Sequence, residues 1–123
     1  MAAEQKAMYI DGSWCAAEGG ETIEAVNPGT GEVFATVPKG TRPDAQRAIA
    51  AAKEAQKGWA KLSAFERAAA LERVGEIVHA RREALAQALT QDQGKPITEA
   101  RGEVEELLAY FKMAAADATR LEG

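Results

Sequence analysis

QDQGKPITEARGEV, residues 91–104, lies between two long runs of helix-forming residues. Its Gly94-Lys95 pair invites comparison with a phosphate-gripping loop. That motif needs glycine at position 89 and Ser or Thr at 96, where this chain has Leu89 and Pro96, so the residues that would cradle a phosphate are missing. The stretch reads instead as a corner between helices. Glycine takes the left-handed conformation that stops a helix, and proline suits the first turn of the next, where no N–H is needed. Gly94 therefore ends one helix, Pro96 opens another, and Lys95 sits exposed between them.

Downstream of the corner, Ile97, Ala100, Val104, Leu107, Leu108, Phe111, Ala115 and Ala118 recur at helical spacing, which predicts one amphipathic helix. Upstream, Ala84, Leu85, Ala88 and Leu89 form a stripe that either continues the preceding helix around a bend at HARRE or begins a new one. Before that, Ala70, Leu71, Val74, Ile77 and Val78 predict a buried helix face. Its start is marked by Ser63 and Glu66, a capping box in which the two side chains satisfy free N–H groups reciprocally. The first helix opens at Thr41, with Pro43 and Asp44 in its first turn, and carries Ala45, Ala48, Ile49, Ala52, Ala55, Trp59 and Leu62 along one stripe. Three or four helices are expected from Thr41 onward.

Before Thr41 the composition changes character. Short β-branched and aromatic runs punctuated by Gly, Pro and Asn predict strands at residues 8–10, 22–26 and 33–37. Asp11-Gly12 suits a hairpin turn and Asn27-Pro28-Gly29 another, because Gly and Asn tolerate positive φ. The expected fold class is α+β, mainly helical with a small N-terminal antiparallel β element. Residues 1–7 are expected as a disordered tail, 8–40 as a hairpin and turn segment, and 41–123 as a helical segment.

A chain of 123 residues with 46% hydrophobic residues can hide roughly two-thirds of its unfolded surface, enough for a core. A formal charge of −4 argues against nucleic acid, which draws affinity from clustered Lys and Arg. One Cys and one His cannot build a Cys/His zinc cage, and the lone Cys15 excludes an intrachain disulfide, so a reducing cytoplasm is expected. No apolar run approaches the ~20 residues of a membrane span, and MAAEQKAMYI lacks a signal-peptide core, so an unprocessed chain without a membrane partner is expected.

The chemical candidates each have a plainer reading. Gly29-Thr30-Gly31 resembles the start of a dinucleotide fingerprint, but Phe34 occupies the third glycine position and a strand follows, so turn chemistry is the better account. Cys15 would need a base or a positive neighbour to become a nucleophile, and His79 lies on a predicted helix without a visible partner. His79, Arg81 and Arg82 together suit the negative end of a helix dipole. Glu99, Glu103, Glu105 and Glu106 in the first turns of a helix, with Arg101 four residues before Glu105, read as a solvated face rather than an acid/base pair.

The series YIDGSW, VNPGTGEVFATVPKGT, AIAAAKEAQKGWAKLSAFERAAALERVGEIVHARREALAQALTQDQGKP and EARGEV resembles the N-terminal portion of the NAD(P)-dependent aldehyde dehydrogenase superfamily, over about residues 8–123. The order and spacing of these motifs carry the resemblance. It implies that the chain is part of an α/β, Rossmann-like cofactor-binding domain. It also implies oxidation of an aldehyde to a carboxylic acid: a cysteine thiolate attacks the carbonyl, hydride passes to NAD(P)+, and a glutamate-activated water hydrolyses the thioester.

In the family the nucleophile, the general base, the oxyanion-hole Asn and the cofactor-holding Lys and glycine turn all lie downstream of Gly123. Cys15 does not match the nucleophile. No catalytic or cofactor-binding residue is therefore expected here, and the 123-residue chain alone is expected to be inactive.

The resemblance further implies a structural monovalent cation, Na+ or K+, held by hard oxygen ligands. The matching positions are Asp92, two residues before the glycine of GKP, and the main-chain carbonyls of Ala25 and Val26 before the NP turn. It implies a small aldehyde substrate, with a lean towards semialdehydes, and a homo-oligomer. ADATRLEG stands where the family's chain approaches its oligomerisation hairpin and dinucleotide-binding sheet, so uncovered apolar faces and self-association are expected of this stretch alone. The alternative expectation is a short helical interaction module derived from that family, associating with full-length subunits.

Overall fold

The computed structural model describes residues 4–121, in five strands and four helices. They divide into two compact units, one up to Ala60 and one from Lys61 on. The first holds the strands and the first helix.

Strands β2 (Met8–Ile10) and β3 (Ser13–Cys15) form an antiparallel hairpin. Its two-residue turn sets Asp11 at φ 53° and Gly12 at φ 75°, the paired positive angles whose twist matches that of the flanking strands. Tyr9 and Trp14 face each other across it, ring centroids 5.0 Å apart.

Strands β4 (Thr22–Val26) and β5 (Val33–Pro38) are also antiparallel, with a register shift between Ala25 and Val26. The strands expected at 8–10 and 22–26 have those bounds, and the third runs one residue further, to Pro38.

The expected disordered tail meets a different fact at its inner end. Glu4–Gln5 form a short strand, β1, parallel to β5, and Lys6 N–H donates to the Thr36 carbonyl at 2.8 Å. Backbone pairing along the open edge of β5 supplies what apolar side chains there do not. Residues 1–3 lie outside the described residues. Strand β3 is the partner that the hairpin turn at Asp11-Gly12 requires, although no strand was expected at 13–15.

Helix α1 (Arg42–Trp59) begins at Thr41 as expected. Asp44, 2% exposed, ties this start to the strands. It accepts the Thr41 N–H and Thr41 Oγ1–H, both at 2.8 Å, the Glu18 N–H at 3.2 Å, and the Arg47 guanidinium at 2.8 Å. Hydrogen bonds from Thr41 first, then from Glu18 and Arg47, hold its carboxyl down at about 2, although burial opposes them. Asp44 in turn raises the Arg47 guanidinium.

The apolar stripe expected along α1 is not buried in the described structure. Ile49 is 68% exposed and Trp59 45%. Periodicity marks a face that can be covered, and does not say by what.

The second unit contains α2 (Ala64–Ala80), α3 (Arg82–Gln93) and α4 (Ile97–Ala118). Helix α2 opens with the full capping box: Glu66 N–H donates to Ser63 Oγ at 3.2 Å, and the Glu66 carboxylate accepts the Ser63 N–H at 2.8 Å. That reciprocal bond lowers the Glu66 carboxyl. At Arg81 (φ −105°, ψ 10°) the backbone leaves helical geometry, so α3 is a separate helix.

Helix α4 packs on both neighbours. Ala115 and Ala118 meet Ala68 and Leu71 of α2, while Ala100 and Val104 meet Ala86 of α3 beside Val78, Leu85 and Leu89. Ala86 and Ala100 are wholly buried, small side chains that let the helices approach closely. On α2, Val74 and Ile77 remain exposed against expectation, and on α3 the buried alanine is Ala86, with Ala84 and Ala88 exposed. No described helix is long and apolar enough to cross a membrane.

Candidate functional site

The GKP corner is a helix-to-helix junction. Gly94 caps α3 in the left-handed conformation, φ 74° and ψ 7°, and its N–H donates to the Thr90 carbonyl at 2.9 Å. Pro96 stands one position earlier than expected, as the residue before α4 rather than in its first turn. At φ −56° and ψ 141° its carbonyl accepts the Ala100 N–H at 3.1 Å.

Lys95 is not the exposed charge that the sequence suggests. Its side chain is only 18% exposed and its ammonium pairs with Glu103 on the second turn of α4. A long aliphatic stem that lies along the corner and delivers its charge to a carboxylate eight residues on explains the difference.

Arg101 also departs from expectation. Instead of Glu105 on its own helix, it takes Glu83 of α3 through two bonds, Nε to Oε2 at 3.0 Å and Nη2 to Oε1 at 2.8 Å. The planar fork matches a carboxylate bidentately, a geometry a neighbour on the same helix offers less well. The pairing lowers Glu83 and raises Arg101. Glu103 pairs with Lys95 and Glu106 accepts the Tyr110 hydroxyl at 3.2 Å, so two of the four α4 glutamates are engaged in structural pairs.

The residues expected to hold a cation fall in both units. Ala25 and Val26 are neighbours at the register shift of β4, and Asp92 stands exposed in the last turn of α3. Among the described residues Asp92 forms no ion pair. A free carboxylate and main-chain carbonyls are hard oxygen donors, the chemistry Na+ and K+ accept.

The glycines at 29 and 31 do not fit a dinucleotide. Gly29 N–H donates to Asn27 Oδ1 at 2.9 Å and Gly31 N–H to the Asn27 carbonyl at 2.8 Å, so both amides close the β4–β5 turn. A strand follows them, without the helix N-terminus that a pyrophosphate needs.

Cys15 is half-buried at the end of β3. His79 lies exposed in the last turn of α2, where its main-chain carbonyl accepts the Arg82 guanidinium at 3.0 Å, so Arg82 takes a helix-end role. His79 also rims a groove of about 640 Å³ between α2 and α4, floored by Leu71, Leu108 and Phe111.

Residues 14–123 match the model of the aldehyde dehydrogenase family. A glutarate-semialdehyde dehydrogenase of Pseudomonas putida is 42% identical over 115 residues, 94% of this chain and 24% of that protein. Among solved structures, succinate-semialdehyde dehydrogenase from Burkholderia pseudomallei superposes with a TM-score of 0.93 at 41% identity, over 96% of this chain and 24% of that one. An NAD-dependent aldehyde dehydrogenase from Sinorhizobium meliloti does so with a TM-score of 0.93 at 36% identity, over 99% of this chain and 25% of that one. A match running through both compact units, over a chain that spans about a quarter of the length of these relatives, leaves one reading: the chain belongs to the aldehyde dehydrogenase family.

Proposed function

We propose that this chain is the N-terminal scaffold of an NAD(P)-dependent enzyme that oxidises a small aldehyde to a carboxylic acid. The observation that carries the proposal is the 42% identity to a glutarate-semialdehyde dehydrogenase over 94% of the chain. A semialdehyde is the substrate class that this relative and the succinate-semialdehyde dehydrogenase favour.

When bound, NAD(P)+ supplies the hydride acceptor. No residue here is assigned to it, because the family resemblance puts the cofactor-holding Lys and glycine turn downstream of the matched stretch. In this proposal the residues described here do the mechanical part. Asp44 fixes the start of α1 against the strands, while the GKP corner and the Glu83–Arg101 pair fix α3 against α4. The nucleophile and base belong to the remainder of the family's chain.

Exposed Phe65, Ile77, Tyr110 and Met113 favour association, and a homo-oligomer is the assembly proposed.

The test is a chimera of the Pseudomonas putida enzyme carrying these residues in place of its matching segment, assayed with glutarate semialdehyde and NAD(P)+. The chimera is expected to turn over, and the 123-residue chain alone is not. A chimera that folds yet is inert would overturn the scaffold reading, and turnover by the short chain would overturn the claim that the chemistry lies elsewhere.

Asp92 is proposed as a ligand of a structural monovalent cation. The supporting observation is Asp92, exposed and without an ion pair among the described residues. Melting of the chimera in NaCl or KCl against tetramethylammonium chloride at equal ionic strength is expected to give a small cation-specific gain. Asp92→Asn should abolish it, and equal melting in all three salts rejects the site.

A further inference from the structure

We draw no further inference here: the strongest candidate, the groove between α2 and α4 floored by Leu71, Leu108 and Phe111, is an unpartnered apolar face, and nothing in the structure shows what covers it.

Discussion

The two compact units are built around opposite kinds of interior. Up to Ala60 the buried residues among those described are Ala17, Ala35 and a carboxylate, Asp44, which gathers bonds from Glu18, Thr41 and Arg47. From Lys61 on they are Ala68, Ala86, Ala100, Val104, Leu108, Ala115 and Ala118. One unit is organised by a hydrogen-bonded polar node and the other by apolar contact between helices. The difference teaches that a stretch with few large buried side chains can still be specified, provided its polar groups point to one arrangement.

The sharpest way to break this comparison is to delete apolar volume on each side. Leu108→Ala removes a side chain that is 7% exposed in α4 and should destabilise the second unit by about 2–4 kcal/mol. Ile49→Ala on α1, at 68% exposure, should change stability by no more than about 0.5 kcal/mol. Urea unfolding followed by circular dichroism measures both. A comparable loss from Ile49→Ala would mean that α1 is covered in solution, by a second copy or by another element.

The next largest effect concerns the polar node. The Asp44 carboxyl ordinarily titrates at 3.8 and is held at about 2 in the fold. The folded state thus binds this proton more weakly than the unfolded chain. Stability from Asp44 is fully present above the ordinary value and is lost as pH falls through the folded one. Asp44→Asn should lower the urea midpoint at neutral pH and flatten its fall between 3.8 and about 2. Glu66 and Glu83, both lowered by their own partners, contribute to the acid dependence in the same direction. An unchanged acid slope in Asp44→Asn would remove Asp44 as the organising group.

Much of the architecture was legible in the sequence for local reasons. Thr41, Ser63 and Gly94 mark their helix ends through chemistry confined to four residues, and Asp11-Gly12 marks its turn in two. What was not legible depended on distant partners. Nothing in residues 99–106 says that Arg101 reaches Glu83 on another helix, or that Ala86 rather than Ala84 meets Ala100. Alanine is too small to declare its face by periodicity.

The candidate site was readable only as residue types. GKP gave a corner, while the engagement of Lys95 with Glu103 depends on a side-chain path that no spacing rule supplies. Asp92, Ala25 and Val26 came from family resemblance and from no local pattern.

A loss smaller than that of Leu108→Ala tests the corner itself. Gly94 holds φ at 74°, a region that costs an L-residue about 1–2 kcal/mol because Cβ crowds the following carbonyl. Gly94→Ala should therefore destabilise the second unit by about that amount. Asn tolerates left-handed geometry better than Ala does, so Gly94→Asn should cost less. That order separates backbone conformation from bulk, since Asn is the larger side chain and a steric penalty would rank the two variants the other way. It also refines the comparison between the units. The helices from Lys61 on are joined by apolar contact, yet the angle at which α3 meets α4 depends on a single backbone conformation, and equal losses from Ala and Asn would shift that control to Lys95 and Glu103.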